Sequence, residues 1–461
     1  MEARSLKFVA EACDAEIKSG DGEAEVKNVC TDSRQAKAGD LFFAIKGEKF
    51  DGHDFLQEVV AKNVAAVVLE GKKVPTALPG CGVLAVDDVR SAFGKLAAAY
   101  RRGFDLPVIA VGGSNGKTTT KELLSSVLRQ KFSTLWSEAS FNNDIGVPLT
   151  LLRLEKSQEA AVLEVGTNHP GELAPLVKMI APRYGVITSI GREHLEFFGD
   201  VAGVAQEEGW LGELIPLDGK LFLGGDNEWT DHIAARTKAN VVHVGFGEKN
   251  DWRAVKVRLD KGGATFQLVA PYKAFNGEYR VNLLGRHQVG NALFAIAVGA
   301  EIGVKHADIQ RGLAECQPAK MRMQFWEANG VRVLDDAYNA NADSMIAALE
   351  TLCDLPLQGR RVAILGDMGE LGTHSESAHA EVGRHVARLG IGQLFAIGRM
   401  AKVTAQSARE AGLTRVIEFA DVDSAMVAVK KFLKTGDVVL LKASRVARLE
   451  RIAETLKTEK N

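Results

Sequence analysis

Cysteine is scarce in this sequence: five residues in 461, at positions 13, 30, 81, 316 and 353. Their number is odd and no two stand at metal-ligand spacing, so neither a disulfide framework nor a cysteine metal site is expected. Free buried thiols in a reducing cytoplasm are the reading. No apolar run approaches the roughly 20 residues that a membrane span needs. The opening MEARSLKFVAEACDAEI carries charges throughout and has no secretory hydrophobic region. An excess of one charge sign is missing too. Lys plus Arg total 57 and Asp plus Glu 59, a formal net charge of -2, without the basic surplus of a nucleic-acid binder. There is no internal repeat and no low-complexity segment. The expectation is a soluble cytoplasmic protein with neither nucleic acid nor membrane insertion among its interactions.

What is present is enough apolar material, 46% of residues, to fill several cores in a chain too long for one ordinary domain. Residues 1–105 read as a small mixed α/β unit, with LFFAIKG and AAVVLEG as short strands and a helix ending near Tyr100. From Val108 the pattern changes. VIAVGG, AAVLEVG, YGVITSI and KLFLGGDN are continuous apolar runs separated by amphipathic segments, as in a mostly parallel sheet covered on both faces. The stretch from Trp252 to Gly285 alternates with period two and reads as added antiparallel strands. This central block spans 106–315. A third block, 316–461, alternates VRVLDD, RVAILGD, QLFAIG, RVIEFA and DVVLLKA with helical segments, a Rossmann-like open sheet without a GxGxxG fingerprint. The fold class is therefore α/β in three domains.

The strongest local signal is VIAVGGSNGKTTTKELLSSVLRQ, 108–130. An apolar strand runs into Gly112-Gly113-Ser114-Asn115-Gly116-Lys117-Thr118, and a helix follows. Glycines let backbone N–H groups turn toward a phosphate, and the helix N-terminus adds partial positive charge. Lys117 would neutralise the β- and γ-phosphates, and the Thr118 hydroxyl would bind Mg²⁺. Val111 stands where the first glycine of GxxxxGK[ST] belongs, so this is the shorter GxxGKT form. Candidate ATP-binding residues here are Gly113, Ser114, Asn115, Gly116, Lys117, Thr118 and Thr119. Glu164 ends the strand AAVLEV, the edge at which open α/β sheets place ligands, and a carboxylate suits Mg²⁺.

Further segments carry a family resemblance. SFNNDIGVPLT (140–150), EVGTNHPGE (164–172), TSIGREHLEFFGD (188–200) and GRHQVGNAL (285–293) resemble the central domain of Mur ligases. DDAYNANADSM (335–345), GDMGELG (366–372) and KASR (442–445) continue the likeness, and TDSRQAKAGDLFFAIKGEKFDGHDF (31–55) is similar to the family's UDP-binding region. The resemblance spans essentially the whole chain, in family order. It implies a UDP-precursor-binding domain, an ATPase domain and a closing C-terminal domain. Within the family, DDAYNAN, GDMGELG and EVGTNHPGE resemble the branch that adds D-alanyl-D-alanine to UDP-N-acetylmuramoyl-tripeptide. ATP and Mg²⁺ are implied, with the tripeptide precursor and the dipeptide as partners, acting on a monomer.

Residue by residue, the resemblance implies Glu164 and His194 as metal ligands. Chemistry alone would not choose His194, because imidazole is not a preferred Mg²⁺ ligand. It implies His287 and Asn291 near the adenine, Asp336 at the ribose, and Arg322 reaching the ATP phosphates. Lys117, Glu164, His194 and Arg322 are the catalytic candidates. Asn142, Asn143, Asn339, Asn341, Lys442, Ser444 and Arg445 would hold the peptide substrates, and Ser33, Arg34, Asp51 and His53 the uridine diphosphate. Asn341 is also a good helix N-cap. Position 342 is Ala where the family often has Pro, which predicts a looser helix start there.

One departure stands out. Many Mur ligases carry a carbamylated lysine in the helix after the His194 loop, where it helps to hold a second Mg²⁺. No lysine occurs between Met179 and Gly219, and Glu208 aligns with that position. Glu208 would supply the carboxylate directly, its shorter reach made up by a water or a helix shift. The competing reading makes Glu207 and Glu208 surface charges on a helix. For the whole chain the alternatives are a sister Mur ligase, a folylpolyglutamate-type ligase, and a nucleotide-binding scaffold without catalysis.

Overall fold

Residues 1–75 and 78–457 are described by the structure, a computed structural model. By internal contacts the chain forms two compact units. One comprises Met1–Ala110, Phe132–Thr167 and Leu173–Arg183; the other comprises Val111–Lys131, Asn168–Glu172 and Tyr184–Asn461.

The first unit contains β1 (Glu16–Ser19), β2 (Asn28–Cys30), β3 (Asp40–Phe43), β4 (Ala66–Glu70) and β5 (Gly82–Val86), in the spatial order β1-β5-β4-β3-β2. β2 to β5 pair in parallel, and β1 joins antiparallel at the edge. β3 and β5 are buried along their whole length, and so is β4 up to its last residue. Strands covered on both faces have no polar side to show, which is why LFF and AVVL read as unbroken apolar runs. Helix α1 (Val89–Arg101) follows. It is capped by Asp88, which accepts from the Ser91 N–H at 2.5 Å, and it buries Phe93, Leu96, Ala97 and Tyr100.

β6 (Val108–Gly112) is buried throughout and ends at the glycine loop, from which α2 (Lys117–Leu128) starts. β7 (Thr134–Trp136) pairs in parallel with β8 (Ala160–Glu164) in the first unit. In the second unit, β9 (Tyr184–Ile187) is followed by α3 (Val201–Glu213), β10 (Lys220–Gly224) and β11 (Asn240–Gly245), the three strands running parallel. β12 (Trp252–Asp260), β13 (Gly263–Val269) and β14 (Gly277–Val281) complete it as the antiparallel extension that the period-two alternation predicts. Helix α4 (Arg286–Glu301) lies against α2 so closely that a Cβ on Gly299 would stand 2.8 Å from Val127.

The C-terminal sheet comprises β15 (Gln324–Ala328), β16 (Val331–Asp336), β17 (Arg361–Leu365), β18 (Gln393–Ile397), β19 (Val416–Phe419) and β20 (Val438–Lys442). Their order is β15-β16-β20-β17-β18-β19, parallel except for the antiparallel edge β15. Val333, Ile364, Phe395, Val439, Leu441 and Ile452 form its buried core, each worth about 1.5–3 kcal/mol in apolar area removed from water. Helices α5 (Ala342–Asp354) and α6 (Ser375–Arg388) belong to this part.

The α/β class holds, with mostly parallel sheets in each part. Two expectations are corrected. The start of α5 is not loose: the Asn341 side chain accepts from the Ser344 N–H at 2.8 Å, and the Ser344 hydroxyl accepts from the Asn341 N–H at 3.0 Å. This reciprocal pair satisfies two donors at the helix end, so Pro is not needed to fix it. Nor are Glu207 and Glu208 surface charges: both are buried, Glu208 completely. No helix among the described residues is long and apolar enough to cross a membrane.

Candidate active site

The glycine loop turns on two left-handed glycines. Gly113 and Gly116 have φ of +106° and +87°, a region that side chains rarely adopt. A Cβ on Gly113 would stand 2.5 Å from the Thr188 hydroxyl, so the loop also requires glycine on steric grounds. Gly116 occupies the cap position of α2, and no side chain caps this helix end. A helix N-terminus without a capping side chain is the arrangement that attracts a phosphate. The segment after β9 shapes the loop from behind. Ser114 N–H donates to the Ser189 carbonyl at 2.7 Å, Asn115 N–H to the Ser189 hydroxyl at 3.2 Å, and the Thr188 hydroxyl to the Asn115 carbonyl at 2.6 Å.

Around the loop the structure gathers charges of both signs. Lys117 Nζ pairs with Glu193 at 3.1 Å and donates to the Gly113 carbonyl. Glu208 reaches the loop from α3 and accepts from the Gly113 N–H at 2.7 Å. Burial pushes its carboxyl up to about 8; Lys117 pulls against this and Glu193 adds to it. One oxygen of Glu193, one of Glu208 and the Thr118 hydroxyl are buried without a hydrogen-bond partner. His194 sits in the left-handed region at φ 48°, with Nδ1 2.6 Å from Glu370 of the GDMGELG segment. Glu370 is itself left-handed at φ 59°, and two such residues cost on the order of 1–3 kcal/mol each. The His194 contact, despite burial, holds the Glu370 carboxyl below its ordinary range. Thr119 follows on α2, half-buried.

The C-terminal candidates form a second cluster in the same unit. The buried ammonium of Lys442 bonds Asp336 and the Asn339 carbonyl, the latter at 3.1 Å. Asp336 also accepts from the Met323 N–H at 3.0 Å. Arg322 lies over the Tyr338 ring at 4.2 Å, and Arg445 approaches the same ring at 5.9 Å. Ser444 accepts from the Gly369 N–H at 2.7 Å and donates to the Ala340 carbonyl at 3.1 Å, tying the two loops together. Asn341 Nδ2 donates to Asn115 Oδ1 of the glycine loop at 3.1 Å.

Near the start of α4, burial drives the His287 imidazole down to about 4; Asp336 works against this and Lys442 with it. Asn291 is committed to the protein. Its Oδ1 accepts from Thr120 at 3.2 Å, and its Nδ2 donates to Gln288 at 2.8 Å.

In the first unit, Glu164 is buried at the end of β8 and accepts from Asn142 Nδ2 at 2.9 Å. Asn143 Oδ1 accepts from the Gly146 N–H at 2.9 Å, just before the short helix Gly146–Leu151. Asp51 holds His53 at 2.6 Å, and His53 Nε2 accepts from the Glu70 N–H at 3.1 Å. Ser33 is buried. Arg34 is exposed and forked onto Asp32 at 2.9 and 2.7 Å, which holds the Asp32 carboxyl down at about 2.

The chain matches the family model described as Mur ligase middle domain over residues 111–299, the Mur ligase glutamate ligase domain over 321–445, and the Mur ligase family catalytic domain over 25–101. It is 34% identical over 460 residues to the UDP-N-acetylmuramoyl-tripeptide--D-alanyl-D-alanine ligase of Bacillus subtilis, covering 99% of both chains. The chain belongs to the Mur ligase family. Among solved structures of that family it resembles MurF from Acinetobacter baumannii, with a TM-score of 0.91 at 33% identity and all of both chains covered. MurF ligase from Thermotoga maritima, solved in complex with ADP, gives 0.81 at 26% identity, covering 93% of this chain and 97% of that one.

Several residues at this Mur ligase site escape sequence reading: Glu193, Arg192, Glu370, Asp343 and Glu381. Each is a charged residue that taken alone looks like solvated surface. Arg192, Glu193, Asp343 and Glu370 lie inside segments that carry the family resemblance, but nothing within those segments singles them out; Glu381 lies outside them.

Proposed function

We propose that this Mur ligase joins D-alanyl-D-alanine to UDP-N-acetylmuramoyl-tripeptide with ATP, giving the pentapeptide precursor of peptidoglycan, ADP and phosphate. The end-to-end likeness to the Bacillus subtilis ligase carries the reading. Residues 1–105 bind the UDP precursor, 106–315 the ATP, and 316–461 complete the ligase site, on a cytoplasmic monomer.

A carboxylate is a poor acyl donor. Its oxygen therefore attacks the γ-phosphorus of ATP, ADP leaves, and an acyl phosphate results. The neutral amine of the dipeptide adds to the acyl carbon. The tetrahedral intermediate then expels phosphate, and the amine proton is lost as the amide forms. Positioning and charge neutralisation are what the protein supplies. Residues 113–119 form the phosphate loop, with the start of α2 turned to the phosphates; Lys117 and Arg322 neutralise them, and Asp336, His287 and Asn291 line the nucleoside site. Asn142, Asn143, Asn339, Asn341, Lys442, Ser444 and Arg445 orient the peptide groups. Ser33, Arg34, Asp51 and His53 take the uridine diphosphate.

No cluster of three or more His, Cys, Asp or Glu at metal-holding geometry occurs among the described residues. Mg²⁺ usually takes one or two protein oxygens together with nucleotide phosphates and water. The unpartnered, buried Thr118 hydroxyl and Glu208 oxygen fit such an ion. Thr118, Glu164, His194 and Glu208 are the proposed holders, and these four would be divided between two ions. When bound, the ions supply positive charge to the phosphate oxygens. Glu208 Oε2 bonds the Gly113 N–H directly, which leaves Oε1 as the oxygen for the ion.

The test is phosphate release with both peptide substrates present, using tripeptides ending in meso-diaminopimelate or in lysine, and D-alanyl-D-alanine against single amino acids. Release that needs neither peptide, or that prefers a single amino acid, overturns the reading.

A further inference from the structure

Arg192 has no part in the chemistry above, yet its guanidinium is forked onto two carboxylates. Its Nε and Nη2 donate to Asp343 Oδ1 at 2.8 and 2.6 Å, and its backbone N–H donates to Asp343 Oδ2 at 2.8 Å. Its Nη1 and Nη2 donate to Glu381 at 2.5 and 3.4 Å. Asp343 lies in the first turn of α5, where a carboxylate also suits the helix dipole, and Glu381 lies on α6. Burial disfavours the charge on Arg192, but Glu381 and Asp343 more than offset this and hold the guanidinium proton more tightly than usual.

The clasp is fitted into its surroundings. A Cβ on Gly191 would stand 2.6 Å from Asp343 Oδ2, so a side chain there would displace the carboxylate that Arg192 clasps. Gly191 N–H donates to the Ser114 hydroxyl at 2.8 Å, in the glycine loop. Two residues earlier, at the cap of α5, Asn341 donates to Asn115 of that loop. The first turn of α5 therefore meets the phosphate loop at two points, one direct and one through Gly191–Arg192. A guanidinium already forked onto two carboxylates has few donors left for a phosphate, which argues against a direct role.

We propose that Arg192 is a positioning residue for the ligation: by clasping Asp343 and Glu381 it seats the start of α5, and with it the Asn339–Asn341 segment, against the phosphate loop. Lysine cannot replace it, because an ammonium lacks the planar fork.

The kinetic arm rests on the ligase reading; a structural arm does not. Full-length Arg192→Ala, Arg192→Lys, Asp343→Asn and the Arg192→Ala/Asp343→Asn double variant are compared with the unmutated protein. In Arg192→Ala kcat falls about tenfold or more while KM for ATP stays within about threefold, as misplacement without lost binding requires. Arg192→Lys recovers less than half of the loss. The double variant loses no more than the worse single, because both remove one interaction. Independently of turnover, hydrogen exchange of the 341–345 amides quickens in Arg192→Ala, while the core of α5 and the melting temperature are unchanged. If Arg192→Ala fails to fold, Glu381→Gln takes its place in both arms. Unchanged exchange at 341–345, an unaltered kcat, or losses that multiply in the double variant each overturn the proposal. An unmutated protein with no ligase activity overturns the proposed function and leaves the exchange arm to decide the role of Arg192.

Discussion

The carboxylate of Glu208 accepts the backbone N–H of Gly113 at 2.7 Å, placing a fully buried acid on the loop that carries Lys117. Its neighbour Glu207 leaves the same helix toward the Gly171 N–H, which it meets at 2.9 Å. Two consecutive glutamates thus serve two different loops. An isolated buried carboxylate is costly to ionise, and the raised titration of Glu208 expresses that cost. Added positive charge at the loop would relieve it.

Glu208→Gln tests this directly. The substitution keeps size and an acceptor oxygen but removes the charge. Ligase activity is expected to fall about 100-fold or more, in line with loss of a carboxylate that would hold the cation neutralising charge during phosphoryl transfer. The unmutated enzyme is expected to work equally in buffer stripped of CO₂ and with added bicarbonate. Strong bicarbonate dependence, or a fully active variant, would remove Glu208 from the metal site.

Asn341 does two jobs that substitutions can separate. Its Oδ1 caps α5 and its Nδ2 reaches Asn115. Asn341→Ala loses both and should destabilise by about 1 kcal/mol through the cap alone. Asn341→Asp keeps the capping oxygen and loses only the donor to Asn115. Its melting temperature should match that of the unmutated protein while kcat drops. Equal melting temperatures and equal activity in both variants would show that neither contact matters.

How far the sequence reaches can be seen element by element. The unbroken apolar runs became β6, β8, β9 and β10 because strands buried on both faces show no polar side. The alternation after Trp252 became β12 to β14 because an antiparallel sheet can leave one face in water. The edge strand β15 was not legible: none of its residues is fully buried, so it carries little hydrophobic signal. The phosphate loop was legible because its glycines answer to local backbone geometry. The Arg192 clasp was not, since its partners lie 151 and 189 residues away and no local pattern encodes such a distance. Glu207 and Glu208 left two readings open for a related reason. Acidic residues on a helix read as solvated unless the loops that receive them are known.

His379 supplies a pH test. It is buried, its Nδ1 meets the Ser375 carbonyl at 2.7 Å, and its Nε2 accepts from the Met368 N–H at 3.0 Å. Only the neutral imidazole can accept that bond, which positions the GDMGELG segment. Burial lowers its titration below the ordinary 6.5, a shift that the Ser375 carbonyl and Asp367 oppose. A histidine depressed in the fold contributes stability that is present above its unfolded value and lost as pH falls below it. Melting temperature should therefore decline from pH 6.5 downward, and more shallowly in His379→Gln, whose side chain does not titrate. Parallel declines in the two proteins would exclude His379 as the source.

Arg34 offers the cleanest separation of binding from chemistry. Its guanidinium is exposed and held flat by the Asp32 fork, with donors still available on the outer edge. A fixed fork is suited to a diphosphate, which presents oxygens in matching geometry. The uridine diphosphate is carried unchanged through the reaction, so a contact to it is equally strong before and during the chemistry. Arg34→Ala should therefore raise KM for the UDP precursor by about tenfold and leave kcat and the KM values for ATP and dipeptide nearly unchanged. Asp32→Asn, which keeps Arg34 but loosens its fork, should raise the same KM by less. Inhibition by free UDP should weaken in step with the precursor. A lowered kcat with an unaltered precursor KM would place Arg34 outside the diphosphate site.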